Sequence, residues 1–143
     1  MVSIQIHKEH IKEHLQGIED AIIIGIEKRS ATIGLHTSAC SISLIELYLH
    51  VLGKISTGTI VKHEWFKPPL LGQKIAPLVE RKLGVNFPEK EEILKLMYSI
   101  EDQRNKLIYG KPVKEVTEAV LSSFQKLHSI IKNKLKGLGE EIE

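Results

Sequence analysis

The chain has 143 residues, of which 42% are hydrophobic and 27% charged, as in one ordinary globular domain. Its net charge of +2 is too small to indicate nucleic-acid binding, because such proteins usually cluster basic residues on one face. The lone Cys40 excludes an intramolecular disulfide and a multi-cysteine zinc site. With no secretory leader pattern and no apolar run approaching about 18 residues, we expect a cytoplasmic protein that does not enter the membrane.

The cations are unevenly divided between the two residue types: 17 are Lys and three are Arg. This bias, together with abundant Ile, resembles thermophile composition, although genome base composition can also produce it. Where Lys supplies almost every positive charge, each Arg suggests a contact that needs a planar guanidinium. The three are Arg29, Arg81 and Arg104.

Two long helices are predicted first, because apolar residues recur at spacings of three, four and seven. Helix 1 covers about Ile4 to Glu27, and helix 2 covers about Ser30 to Leu52. Helix 2 is apolar on two sides, which indicates a central helix or a subunit interface. A loop without periodicity follows over Gly53 to Pro69, and loops of this length in a compact domain tend to be functional or disordered.

Three more helices are predicted in the second half. A short helix covers about Leu71 to Leu83, and helix 4 starts at the Asn86-Phe87-Pro88-Glu89 sequence and runs to about Leu107. The last helix turns Val113, Val116, Val120, Leu127, Ile131 and Leu135 inward. We therefore predict an all-α, up-and-down bundle of four long helices and one short helix. Residues 1–136 form one domain, and we expect residues 137–143 to fray.

Two groups of histidines have spacings that a metal ion could use. Helix 1 carries His7, His10 and His14 along one edge, and helix 2 carries His36, Cys40, Ser43 and His50 on one face. Ordinary packing explains both groups more simply: amphipathic side chains commonly sit at helix edges, and small Ser and Cys side chains let another helix approach. We assign no metal and no cofactor.

The loop contains the sequence Lys62-His63-Glu64-Trp65-Phe66-Lys67. Its cations, titratable His and two aromatic residues are the groups that stack a base beside a phosphate. The alternative is a loop whose aromatic residues anchor it in the core.

Near the end of helix 4, Arg104 shares its helical angle with Ile93, Met97 and Ile100, so it points to the interior or to a cleft. Glu101 lies one turn earlier and could hold the guanidinium, either as a structural pair or ready for a phosphate. We expect Arg104 to hydrogen-bond Glu101 or to face a cleft containing Tyr109.

An Arg-Asn dipeptide near the end of a long helix, with an aromatic residue five positions after the Arg, resembles the HEPN superfamily. That family's motif is Arg, a few residues and then His, commonly with Asn after the Arg. Arg104 and Asn105 match, whereas Tyr109 stands at the His position. The resemblance implies a homodimer whose paired motifs form a cleft. Many members are metal-independent ribonucleases that act as toxins beside a nucleotidyltransferase antitoxin, and others only bind.

The exchange of Tyr for His favours a non-catalytic or weakly active module of such a toxin-antitoxin pair. It would bind a nucleotide, RNA or a nucleotidyltransferase partner through Glu101, Asn105, Lys62 and Lys67. The alternative is a metal-independent ribonuclease, in which Arg104 stabilises charge on the phosphate and Tyr109 or His63 moves a proton. Whether the chain is an enzyme stays open between these two hypotheses.

Overall fold

The computed structural model describes residues 4–56, 58–67, 72 and 75–143. Its α-helices are α1 (Ile4–Ile24), α2 (Ser30–Val51), α3 (Leu78–Lys82), α4 (Lys90–Tyr109) and α5 (Lys114–Gly137). A short 3-10 helix, His63–Phe66, lies in the long loop, and no strand occurs in the described parts of the chain. The predicted all-α bundle of four long helices and one short helix is confirmed. None of the described helices is both long enough and apolar enough to cross a membrane.

Helix α2 is the centre of the bundle and packs against α1, α4 and α5. Eleven of its 22 residues are buried, which explains why its sequence is apolar on two sides. Gly34 permits the close approach of α4, because a Cβ atom at this position would lie 2.7 Å from Cβ of Leu107. Leu35, on the same helix, is 49% exposed.

Small side chains bring α1 and α2 together, as the packing interpretation of the α2 face predicts. Cys40 is fully buried, and its sulfur lies 3.9 Å from the carbonyl oxygen of Ile11. Burial raises the pKa of the Cys40 thiol to about 12. The thiol is therefore a protonated packing group at neutral pH.

The long loop is anchored in the core by its aromatic residues, which confirms that alternative. Phe66 is buried, and Trp65 packs against the core from a partly buried position. The 3-10 helix that carries both residues rests on α3 and α4. Because Trp65 and Phe66 pack into the core, the neighbouring polar side chains of the loop are the ones left at the surface.

Three predicted boundaries and one predicted core residue are wrong. Helix α4 begins at Lys90, after the predicted start at Asn86-Phe87-Pro88-Glu89, because Glu89 adopts a left-handed φ of 64°. Helix α1 ends at Ile24 rather than Glu27, since Gly25 adopts a φ of 129°. Helix α3 begins only at Leu78, because Pro77 lacks an N–H and disfavours helical geometry in the residue before it. The predicted start of that helix, Leu71, lies outside the described residues. Val113 precedes α5 and is 57% exposed instead of facing inward.

The last residues lie back against α1 and α5. Lys8 forms a 2.8 Å ion pair with Glu140, and the carbonyl oxygen of Glu143 lies 2.6 Å from Nε2 of His128. Ile142 packs against the core from a partly buried position. These contacts do not test whether residues 137–143 fray, so the fraying stays a prediction.

Candidate functional site

A pocket of about 460 Å³ opens where the long loop crosses α2 and α4. One wall is polar and contains Lys62, His63 and Glu64 from the loop and Arg104 from α4. The two permanent cations of this wall, Lys62 and Arg104, form no ion pair with a described residue. The nearby carboxylates of Glu64 and Glu101 contact the His63 ring instead, so the two cations are left to attract an anionic ligand.

The opposite wall is formed by α2. Leu35 and Ile42 present apolar surface, and Ser38 and Ser43 present hydroxyl groups between them. The volume lies within the usual range for small-molecule sites, which are mostly apolar clefts with a few placed polar groups. The pocket therefore combines a polar, cationic side with a surface on which a ring or sugar could rest.

Arg104 is half-buried and lines this pocket, but it is not paired with a carboxylate. Its Nη1 donates to the neutral amide oxygen of Asn105 over 3.2 Å. Its Nε is enclosed and has no hydrogen-bond partner in the part of the chain that the structure describes. No described Asp or Glu lies within ion-pair distance of the guanidinium. A partly desolvated cation in this state gains from an incoming anion.

Glu101 contacts His63 instead of the expected Arg104. The carboxylate is 5% exposed, and Nδ1 of His63 lies 3.0 and 3.1 Å from its two oxygens. Since an ionised carboxylate only accepts hydrogen bonds, Nδ1 is the donor. On the other side of the ring, Nε2 lies 2.8 Å from Glu64. The loop thus folds over α4, and Glu101 fixes the orientation of the His63 ring.

The structure brings together only part of the predicted site. Arg104, His63 and Lys62 line one pocket, with Glu101 behind His63. Tyr109 is 78% exposed and does not line the pocket, so the predicted cleft joining it to Arg104 is absent from the described part of this single chain. Three predicted residues lie at the surface outside the lining: Lys67, Asn105 and Tyr109.

His14 is a pocket residue that sequence reasoning placed only in the helix 1 group. Its Nδ1 lies 2.9 Å from Nδ1 of His36 on α2, so one ring donates and the other accepts. Burial lowers the pKa of His14, and the neighbouring His36 lowers it further while Glu13 raises it. The spacing of each histidine was visible in the sequence, but their pairing across two helices was not.

Comparison with protein-family models, curated proteins and solved structures finds no match to this chain.

Proposed function

We propose that the chain is a HEPN-like module that binds the phosphate of a nucleotide or RNA in the pocket of Arg104, Lys62 and His63. The observation that carries the proposal is the half-buried Arg104 guanidinium, which faces this pocket without a carboxylate partner. A planar guanidinium makes two-pronged contacts with phosphate, and such charge-assisted bonds are strong in a partly desolvated site. The apolar wall of Leu35 and Ile42 supports a ribose or base on the other side.

A second candidate, a metal-independent ribonuclease, is favoured by the contact between His63 and Glu101. A histidine oriented by a buried carboxylate and lining the same pocket as an arginine can exchange protons at a bound phosphodiester. In that reaction the ribose 2′-hydroxyl attacks the adjacent phosphorus. Nε2 of His63 takes the hydroxyl proton, which requires the Glu64 carboxylate to move away from that nitrogen, and Arg104 stabilises the charge that develops on the phosphate oxygens. The bond from phosphorus to the 5′-oxygen breaks, and the leaving oxygen takes the proton back from His63, which leaves a 2′,3′-cyclic phosphate.

The proposal also includes partners, which the HEPN resemblance implies. These are a second copy of the chain and a nucleotidyltransferase that would form a toxin-antitoxin pair with it in the cytoplasm. Their support is the motif at Arg104 and Asn105 and the exposed apolar surface of Leu35 beside the pocket. Sedimentation at micromolar concentration tests the dimer, because a species of only about 16 kDa would contradict it.

The test is RNA binding and RNA decay measured in the same solution with EDTA present. Fluorescence anisotropy of a labelled single-stranded RNA follows binding, and gel electrophoresis follows cleavage. We expect binding by the wild type with slow or no cleavage. Arg104→Ala and Arg104→Lys should each weaken binding by about tenfold or more, since a point charge does not reproduce the guanidinium contact.

The matched control is Arg81→Ala, which removes an exposed Arg of α3 that donates to the Ala76 carbonyl before that helix and does not line the pocket. This variant should bind as the wild type does. Equal losses in Arg81→Ala and Arg104→Ala would contradict the pocket. Brisk wild-type cleavage that His63→Ala abolishes would establish the ribonuclease instead.

A further inference from the structure

A second polar cluster joins the first turns of α1 to the last turns of α2. His7 comes from α1, and Glu46 and His50 come from α2. Glu46 and His50 are four residues apart, which puts both side chains on one face of the helix. One ligand atom from each of the three residues lies within 4.8 Å of the others.

The imidazoles of this cluster lack the partners that buried polar groups normally have. His7 is 3% exposed, and its Nε2 has no hydrogen-bond partner among the described residues. Both ring nitrogens of His50 likewise lack a well-formed hydrogen bond within that part of the chain, although the nearby Ile55 backbone partly offsets the lowering of the His50 pKa by burial. The two rings lie with centroids 5.3 Å apart and planes at 34°. Buried nitrogen atoms in this state carry a desolvation cost that a ligand would remove.

Glu46 adds a carboxylate that is half-buried and has no cationic partner. No described Lys or Arg lies within 4.0 Å of its oxygens. Among the described residues, the cluster therefore offers imidazole nitrogens without a bonded partner and a carboxylate that takes a hydrogen bond from the Val61 backbone but has no cation beside it. Such a set resembles the donors of a metal ion more than a hydrophobic core.

We propose that His7, Glu46 and His50 bind one divalent transition-metal ion of the zinc class. Two nitrogen ligands and one carboxylate oxygen suit Zn²⁺ and leave its fourth position to water. Ligands around tetrahedral zinc lie roughly 3.3 Å apart, so atoms that lie within 4.8 Å of one another need to close in by no more than about 1.5 Å, which side-chain rotation can provide. The bound ion would tie the start of α1 to the end of α2.

The site is independent of the pocket, so its test contains no RNA. The full chain is stripped with EDTA, dialysed and titrated with Co²⁺, whose visible absorption reports low-symmetry coordination, and Zn²⁺ is then added to displace it. We expect one Co²⁺ ion to bind per chain and one Zn²⁺ ion to displace it. Zn²⁺ at about a hundred times its Kd should raise the Tm by on the order of 5–10 °C.

Variants then assign the ligands. Two single variants, Glu46→Gln and His50→Gln, should each weaken Zn²⁺ binding at least about tenfold. Glu46→Gln keeps the shape of the side chain and removes only its charge. Two controls should bind as the wild type does: His10→Gln, which removes an exposed His on the same helix as His7, and His36→Gln, which disrupts the other histidine pair.

Two results would overturn the site: no saturable binding by the wild type below about 1 mM metal, or binding that survives both Glu46→Gln and His50→Gln. Should His50→Gln fail to fold, ring-proton NMR of the wild type decides the question without any variant. Zn²⁺ should then shift the His7 and His50 resonances and leave those of His10 unchanged, and the reverse pattern would refute the assignment.

Discussion

Nδ1 of His63 lies 3.0 Å from a carboxylate oxygen of Glu101, so the buried carboxylate of α4 is engaged by the loop and not by Arg104 three residues further on. This contact has two consequences. It holds the long loop against α4, and it leaves the neutral Asn105 amide as the one bonded partner of the Arg104 guanidinium among the described residues. The stability of the loop and the charge of the pocket therefore both depend on Glu101.

Replacing Glu101 by Ala should lower the free energy of unfolding by about 1–3 kcal/mol, because the variant leaves Nδ1 of His63 without its acceptor. Glu101→Gln keeps an acceptor oxygen at the same place and should cost less. Urea unfolding measures both. Asp102→Ala is the control, since that side chain is exposed one residue away and should change stability by no more than about 0.5 kcal/mol. Equal effects at positions 101 and 102 would mean that the contact with His63 does not stabilise the fold.

Tyr109→His supplies the histidine that the proposed HEPN-like motif lacks, and at a position that is 78% exposed it should cost little stability. If the family's proton-transfer geometry exists here, the variant should raise EDTA-resistant RNA cleavage by about 10². Tyr109 does not line the pocket of its own chain, so if the gain depends on the proposed dimer it should grow with protein concentration.

The double variant Tyr109→His, Arg104→Ala should lose this gain, because proton transfer without charge stabilisation leaves the phosphate barrier in place. A folded, dimeric Tyr109→His protein that cleaves no faster than the wild type would show that position 109 has no part in the chemistry.

Gly34→Ala tests the close approach of α2 and α4. The added Cβ would meet Cβ of Leu107 at 2.7 Å and a side-chain carbon of Ile108 at 3.3 Å, so the helices must separate. Overpacking of this kind costs about 1–3 kcal/mol, which exceeds the gain of up to about 1 kcal/mol in helix propensity. The control is Gly137→Ala at the end of α5, where a Cβ meets nothing within 4 Å. Thermal melting should show a lower Tm for the first variant alone, and a Tm at or above the wild type would refute the close contact.

The sequence predicted the long helices well and the site only in part, for a physical reason. Helical spacing is local, so the apolar stripes of α1 and α4 were visible in the sequence, and so was the burial of Ile93 and Ile100. The partners of a buried polar group come from other elements. Glu101 could bond Arg104 one turn away or a residue of the loop, and only the packing of the loop through Phe66 decides for His63.

The same limit applies to the histidines. His7 and His50 each stood out in the sequence, but as members of separate helices, and Glu46 was missed. The spacing of Glu46 and His50 by four residues was the available signal. Joining it to His7 required the register of α1 against α2, which apolar spacing alone does not determine.

The fold should lose stability in mild acid through His14. Its pKa is lowered in the native state, first by burial and then by His36, so below about pH 6.5 the unfolded chain binds more protons than the folded one. Stability is therefore fully present above that pH and is lost as the pH falls towards the native pKa. His14→Gln removes this titration, and its urea midpoint should fall less than that of the wild type between pH 7.5 and 5. Parallel curves for the two proteins would contradict the assignment.

The most direct test of the central claim is the ¹H–¹⁵N spectrum of the arginine Nε–H groups during titration with a nucleoside monophosphate or short RNA. The chain has three arginines, so three Nε–H signals are expected. Replacing each arginine in turn by Lys removes one signal and so assigns it. We predict that Arg104, whose Nε has no partner among the described residues, shifts in a saturable manner while Arg29 and Arg81 do not. No shift at Arg104, or equal shifts at all three, would contradict a phosphate site in this pocket.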